Sequence, residues 1–107
     1  MDFEVKDGKG KGKEYSYHNF FSLKFEGEYL NGEKNGKGKE YNYKGKLEYE
    51  GEYLNGKRNG KGKEYDDNEE VRLLYEGEYL NGKRNGKGKE YFYECYKKKQ
   101  KYLKESI

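Results

Sequence analysis

Between residues 49 and 53 the chain reads aromatic, acidic, glycine, acidic, aromatic: Tyr49, Glu50, Gly51, Glu52, Tyr53. The same order recurs at residues 25–29 and 75–79. Alternation with period two marks an extended strand, with Tyr49, Gly51 and Tyr53 on one side of a sheet and Glu50 and Glu52 on the other. One leucine later comes Asn-Gly, at Asn31-Gly32, Asn55-Gly56 and Asn81-Gly82. That pair favours a type I′ turn, whose two central residues both need positive φ. Each unit therefore predicts a β-hairpin.

A two-residue turn sets the expected register. Leu54 faces Lys57, Tyr53 faces Arg58, Glu52 faces Asn59, Gly51 faces Gly60, Glu50 faces Lys61 and Tyr49 faces Gly62. One face then carries rings and glycines, Gly60 and Gly62 included, and the other carries Glu50, Glu52, Asn59, Lys61 and Lys63. Glycine normally weakens a strand. Here a ring opposite or beside a glycine can lie flat on bare backbone, so the glycines read as sockets for the tyrosines. Charges on the other face pair across strands, Glu50 with Lys61. Exposed pairs contribute only about 0.2–1 kcal/mol each, which serves register and solubility more than stability.

The hairpins are repeated. Residues 49–65 and 75–91 are identical (YEGEYLNGKRNGKGKEY), and residues 25–41 differ from them at three positions. Gly27, Gly51 and Gly77 are separated by 24 and 26 residues, and KGKGKEY at residues 9–15 is a degenerate copy. The reading is a repeat domain over residues 1–95, with a partial repeat at 3–24, full repeats at 25–48, 49–74 and 75–95, and a tail at 96–107. In the linker at residues 41–49 a Lys44-Gly45 turn places Gly38 opposite Gly51 and Lys39 opposite Glu50. The linkers at residues 15–25 and 65–75 are two residues longer, an insertion that preserves side-chain parity. The expected fold is all-β: an elongated, single-sheet antiparallel meander of stacked hairpins, with seven or eight strands and a core of rings. A helical repeat is excluded by 16 glycines, each costing about 1 kcal/mol in a helix. The glycine-free tail alone predicts a short C-terminal helix.

Composition sharpens this picture. With 42% charged residues and a mean hydropathy of -1.61, the chain has the bulk character of a disordered one. Against that stand 14 tyrosines and 5 phenylalanines, which bury large areas per residue. No apolar run is long enough for a transmembrane helix, and residues 1–10 lack an apolar core, so no secretory signal is expected. Cys95, the single cysteine, excludes an intramolecular disulfide and fits a reducing compartment. The single histidine, His18, has no companion ligands for a metal or catalytic site. A phosphate loop needs four residues between its glycines, then Lys and Ser or Thr. Gly82 and Gly86 enclose three, Gly82 and Gly88 enclose five, and Glu90 follows Lys89. Carboxylates that recur beside lysines in every unit read as a solvated ladder. The expectation is no enzyme, no cofactor, no nucleotide and no metal.

The pattern Y-E-G-x-Y-x-x-G-x-x-x-G-x-G over residues 25–91, with the partial copy at residues 9–15, resembles the repeat of the MORN (membrane occupation and recognition nexus) family. Tyr29, Tyr53 and Tyr79 stand where that family usually carries Trp or Phe, which makes this aromatic layer more polar. The resemblance implies an open β-sheet solenoid. It also implies a non-catalytic module that holds partner proteins, self-associates or sits near membranes, phospholipid binding having been proposed for the family.

Two candidate surfaces follow. Phe25, Tyr29, Tyr49, Tyr53, Tyr75 and Tyr79 form a continuous aromatic strip, either a surface for a protein or peptide partner or simply the core. In the tail, Lys97, Lys98, Lys99, Lys101 and Lys104 oppose only Glu105, a surplus of four that leaves the rest of the chain at -1 of the total +3. Such a cluster can attract anionic phospholipid at about 1 kcal/mol per basic residue, nucleic acid is the weaker alternative, and a merely solvated terminus is the reading favoured over both. Asp2 and the closing KESI supply no acylation signal. Unpaired end strands favour self-association. The expected function is a scaffold for protein–protein interaction in the cytoplasm, either free there or associated with membrane or cytoskeleton. Peripheral binding to anionic membranes through the tail is the alternative.

Overall fold

A computed structural model describes the backbone over residues 2–6, 8–17, 22–66, 72–94 and 99–106, and side chains over residues 8–17, 22–66 and 72–91. The described residues form one antiparallel meander of nine strands in sequential order. These are β1 (Asp2–Lys6), β2 (Lys9–Ser16), β3 (Ser22–Leu30), β4 (Glu33–Tyr41), β5 (Leu47–Leu54), β6 (Lys57–Asp66), β7 (Arg72–Leu80), β8 (Lys83–Glu94) and β9 (Lys99–Ser106). The sheet measures 48 × 35 × 17 Å.

The Asn-Gly turns have the conformation their composition demands. Asn31, Asn55 and Asn81 have φ of 48°, 49° and 51°, and the glycines that follow have 85°, 83° and 87°. Leu54 faces Lys57 and Tyr53 faces Arg58, as the two-residue turn requires.

Beyond that point the expected register is corrected. Gly51 stands opposite Gly62 and not Gly60, Glu50 opposite Lys63 and not Lys61, and Tyr49 opposite Glu64 and not Gly62. A bulge that adds two residues to β6 is the cause. Gly60 has φ +88° within it, and a Cβ there would lie 3.1 Å from the Glu52 carboxyl carbon, so Gly60 turns toward the acidic face. The bulge is pinned by the Glu52 carboxylate, which accepts the Lys61 N–H at 2.8 Å. Because the shift is two residues, every other face assignment survives it.

The linkers behave as expected, with Gly38 opposite Gly51 and Lys39 opposite Glu50. Asn42 closes the loop between β4 and β5, its Oδ1 accepting the N–H groups of Lys44 at 2.9 Å and Lys46 at 3.1 Å. The two longer linkers each extend the pairing by one step, Ser16 with Ser22 and Asp66 with Arg72.

The tail carries the second correction. Lys99–Ser106 is strand β9 paired to β8, not a helix. A helix of about twelve residues is marginal alone, whereas the free edge of β8 offers a full row of backbone partners. The register also sets Glu105 opposite Lys89 and Lys104 opposite Glu90, the same acid–base alternation as between the repeats. His18, Cys95, Lys97 and Lys98 lie outside the described residues.

Candidate functional site

One face of the sheet holds the rings. Phe25, Tyr29, Tyr49, Tyr53, Tyr75 and Tyr79 are between 0% and 6% exposed and constitute the core. They form one unbroken chain of edge-to-face contacts. Phe25 meets Tyr29 at 5.7 Å and Tyr53 at 5.2 Å, Tyr49 meets Tyr53 at 5.5 Å and Tyr79 at 5.2 Å, and Tyr75 meets Tyr79 at 5.6 Å. The socket reading holds at Gly62, where a Cβ would sit 2.4 Å from Oη and 2.6 Å from Cε1 of Tyr49. The continuous strip expected from the sequence is present, but it lies in the interior.

A single sheet can bury a ring layer because cations roof it. The Lys34 ammonium lies 4.3 Å from the Phe25 ring centre, and the Arg58 and Arg84 guanidinium carbons lie 4.2 and 4.3 Å from those of Tyr49 and Tyr75. Each Arg is held by a carboxylate in turn. Arg58 donates to Glu40 at 2.9 and 3.2 Å, and Arg84 donates to Glu64 at 3.0 and 2.8 Å and to Glu90 at 3.3 Å. The phenols of Tyr29, Tyr53 and Tyr79 donate to Glu14, Glu40 and Glu64 respectively. Every one of these bonds except Arg84 to Glu90, which stays within β8, joins one hairpin to its predecessor. Burial opposes the charge on Glu40 and Glu64, but the bonds from Arg58 and Tyr53 and from Arg84 and Tyr79 outweigh it, and both carboxyls titrate below their usual range.

The opposite face is a trough of about 1640 Å³ that crosses β2 to β8. Its floor is a row of glycines in mutual register, from Gly12 to Gly88. Charged rows flank this floor. On one side Lys13 stands opposite Glu26, Lys39 opposite Glu50 and Lys63 opposite Glu76. On the other Lys11 stands opposite Glu28, Lys37 opposite Glu52 and Lys61 opposite Glu78. All six glutamates have partners other than lysine ammonium groups. Glu26, Glu50 and Glu76 accept from the phenols of Tyr41, Tyr65 and Tyr91, and Glu28, Glu52 and Glu78 accept the backbone N–H of Lys37, Lys61 and Lys87. Lys34, Arg58 and Arg84 carry ion pairs within 4.0 Å, and among the described residues no such pair involves a trough lysine.

The MORN repeat model matches this chain at residues 25–46, 49–70 and 75–94, which together span more than half of it. The chain belongs to the MORN repeat family. No curated protein and no solved structure gives a significant match.

Within the three MORN repeats the roofing position is occupied by Lys34, Arg58 and Arg84 in turn. The expected register had already set Arg58 against Tyr53, which was the available signal for the roof. The trough lysines were missed, because a glutamate across the strand reads as a salt-bridge partner, whereas in the fold it is engaged by a phenol or a peptide N–H. Of the tail lysines, Lys99, Lys101 and Lys104 lie along β9. Among the described residues no group of three or more His, Cys, Asp or Glu side chains is placed to hold a metal ion.

Proposed function

We propose that this MORN-repeat chain is a non-catalytic scaffold that holds a protein partner along its charged trough. The family occurs in scaffold and membrane-binding proteins and is generally non-catalytic. The observation that carries the reading is a contrast between the two faces. The rings are sealed beneath Lys34, Arg58 and Arg84, so a partner arriving on that face meets the roof. The trough presents eight lysines and six glutamates over a glycine floor and is open along its length. Repeat solenoids commonly use such extended surfaces for binding.

The test compares proteins retained from source-cell extract by the wild-type chain and by Lys61→Gln/Lys63→Gln/Lys87→Gln/Lys89→Gln. Glutamine removes the charge while keeping most of the stem, and circular dichroism verifies that the variant folds. The reading expects a set of proteins held by the wild type and lost from the variant. Identical sets, or a loss that follows deletion of residues 96–107 instead, would overturn it.

A further inference from the structure

Lysine and glutamate do not alternate at random in the trough; they alternate by strand. β2, β4, β6 and β8 each contribute two lysines flanking a glycine, such as Lys61 and Lys63 around Gly62, while β3, β5 and β7 each contribute two glutamates. Neighbouring strands lie about 4.8 Å apart, so lysine pairs recur about every 9.6 Å. The trough is therefore a comb of four cationic rungs about 29 Å long from first to last.

The charges of the rungs and of the strands between them are not equivalent. Each glutamate already accepts a hydrogen bond from a phenol or from a bulge N–H. Among the described residues the trough lysines lie in no ion pair within 4.0 Å. Neutral donors leave those carboxylates their charge but fix their positions, and eight lysines against six glutamates leave the trough a net positive charge of two, so the periodic charge in excess is cationic and its complement is an anion with the same period.

From this spacing we infer that the trough takes an acidic polypeptide in polyproline-like conformation whose carboxylates recur at every third residue. This rests on the scaffold reading above and specifies its partner. A polyproline-like chain has three residues per turn and advances about 3.1 Å per residue, so every third side chain returns to the same face after about 9.3 Å and stays in phase with the rungs, whereas a pleated strand turns every third side chain to alternating faces. Spacings of two or four residues, about 6.5 and 13 Å, fall out of phase at the second rung. An α-helix rises 1.5 Å per residue and needs a heptad, about 10.5 Å, to return to the same face, which drifts by about 3 Å over the comb. The intervening residues of the partner cross the glutamate strands and are neutral or basic.

Fluorescence anisotropy tests this with three labelled peptides of equal composition: four glutamates at every third position, four in one block, and four at heptad positions. At low salt the spaced peptide binds the full chain more tightly than either competitor by about tenfold, roughly what four weak exposed ion pairs contribute. The advantage shrinks at physiological salt. Lys61→Gln/Lys63→Gln, with its fold checked by circular dichroism, removes one rung of four and lowers it to about fivefold. Equal affinities for all three peptides, tighter binding of the heptad peptide, or full binding by the lysine variant overturns the spacing and leaves the scaffold reading, which stands on protein capture, intact. Binding of phosphatidylserine vesicles at these same lysines, with no peptide bound, makes the occupant a lipid surface and overturns the inference.

Discussion

Arg58 joins two hairpins by donating to Glu40, its Nε 2.9 Å from Oε2, while its guanidinium covers the ring of Tyr49. One side chain thus performs two tasks that a second layer of structure performs in a sandwich: it excludes water from the rings, and it ties successive repeats together. The arrangement recurs at Arg84 with Glu64. In the repeat at residues 25–46 it is weaker, because Lys34 reaches Glu14 at only 3.9 Å.

Lys34→Arg should therefore stabilise the chain. A guanidinium can present two donors to Glu14 where the ammonium makes one long contact, a gain of about 0.5–1 kcal/mol. Urea unfolding measures it; an unchanged or lower midpoint would show that the roof is not limited by geometry at this repeat.

Gly62→Ala and Gly56→Ala should differ in kind. At Gly62 the new methyl would lie 2.4 Å from the Tyr49 hydroxyl, so the ring layer must shift, at about 2–3 kcal/mol. At Gly56 nothing lies within 4 Å, and the cost is the left-handed backbone at φ +83°, about 1–2 kcal/mol. Near-ultraviolet circular dichroism of the tyrosines should change for the first variant and not for the second.

Stability should be lost at both extremes of pH. Glu40 and Glu64 titrate lower in the folded chain than their usual 4.5, so their contribution is complete above that value and declines as pH falls through the folded pKa. Burial pushes the Tyr49 phenol up from 10.0 to about 12, and burial, with a hydrogen bond to Glu26, does the same for Tyr41. Their contribution is complete below pH 10 and declines as pH rises toward 12. Urea midpoints across this range should trace a plateau with two flanks; a midpoint that rises below pH 4.5 contradicts the roof.

Deleting residues 96–107 should remove strand and no helix. The far-ultraviolet difference spectrum between full and truncated chains should lack helical minima. The truncated chain, with β8 exposed as an edge, should self-associate more readily in sedimentation.

Much of this fold was legible because its decisive residues are local. Asn-Gly fixes the turn, and the period-two order of Tyr49, Gly51 and Tyr53 fixes the faces. The bulge at Gly60 was hidden by its own parity: a shift of two leaves the alternation untouched, so no pattern of hydrophobic and polar residues reports it. A second glycine two residues before the socket at Gly62 was the remaining clue. The tail was misread because its helical composition is outweighed by the edge of β8, which is absent from local sequence. At the site, the six rings were legible as a strip that is either core or partner surface; what covers them was not, since the cover depends on Lys34, Arg58 and Arg84 folding back over them. The trough lysines looked paired because the competing donors, Tyr41, Tyr65 and Tyr91, lie 15 residues from the glutamates they engage.

The most direct test of the central claim, that the trough and not the ring face receives the partner, is nuclear magnetic resonance mapping with the spaced acidic peptide. Side-chain resonances of Lys61, Lys63, Lys87 and Lys89 should shift in proportion to peptide bound, while the ring resonances of Tyr49, Tyr53 and Tyr79 stay in place. Shifts centred on the rings, with the trough lysines unmoved, would contradict the account.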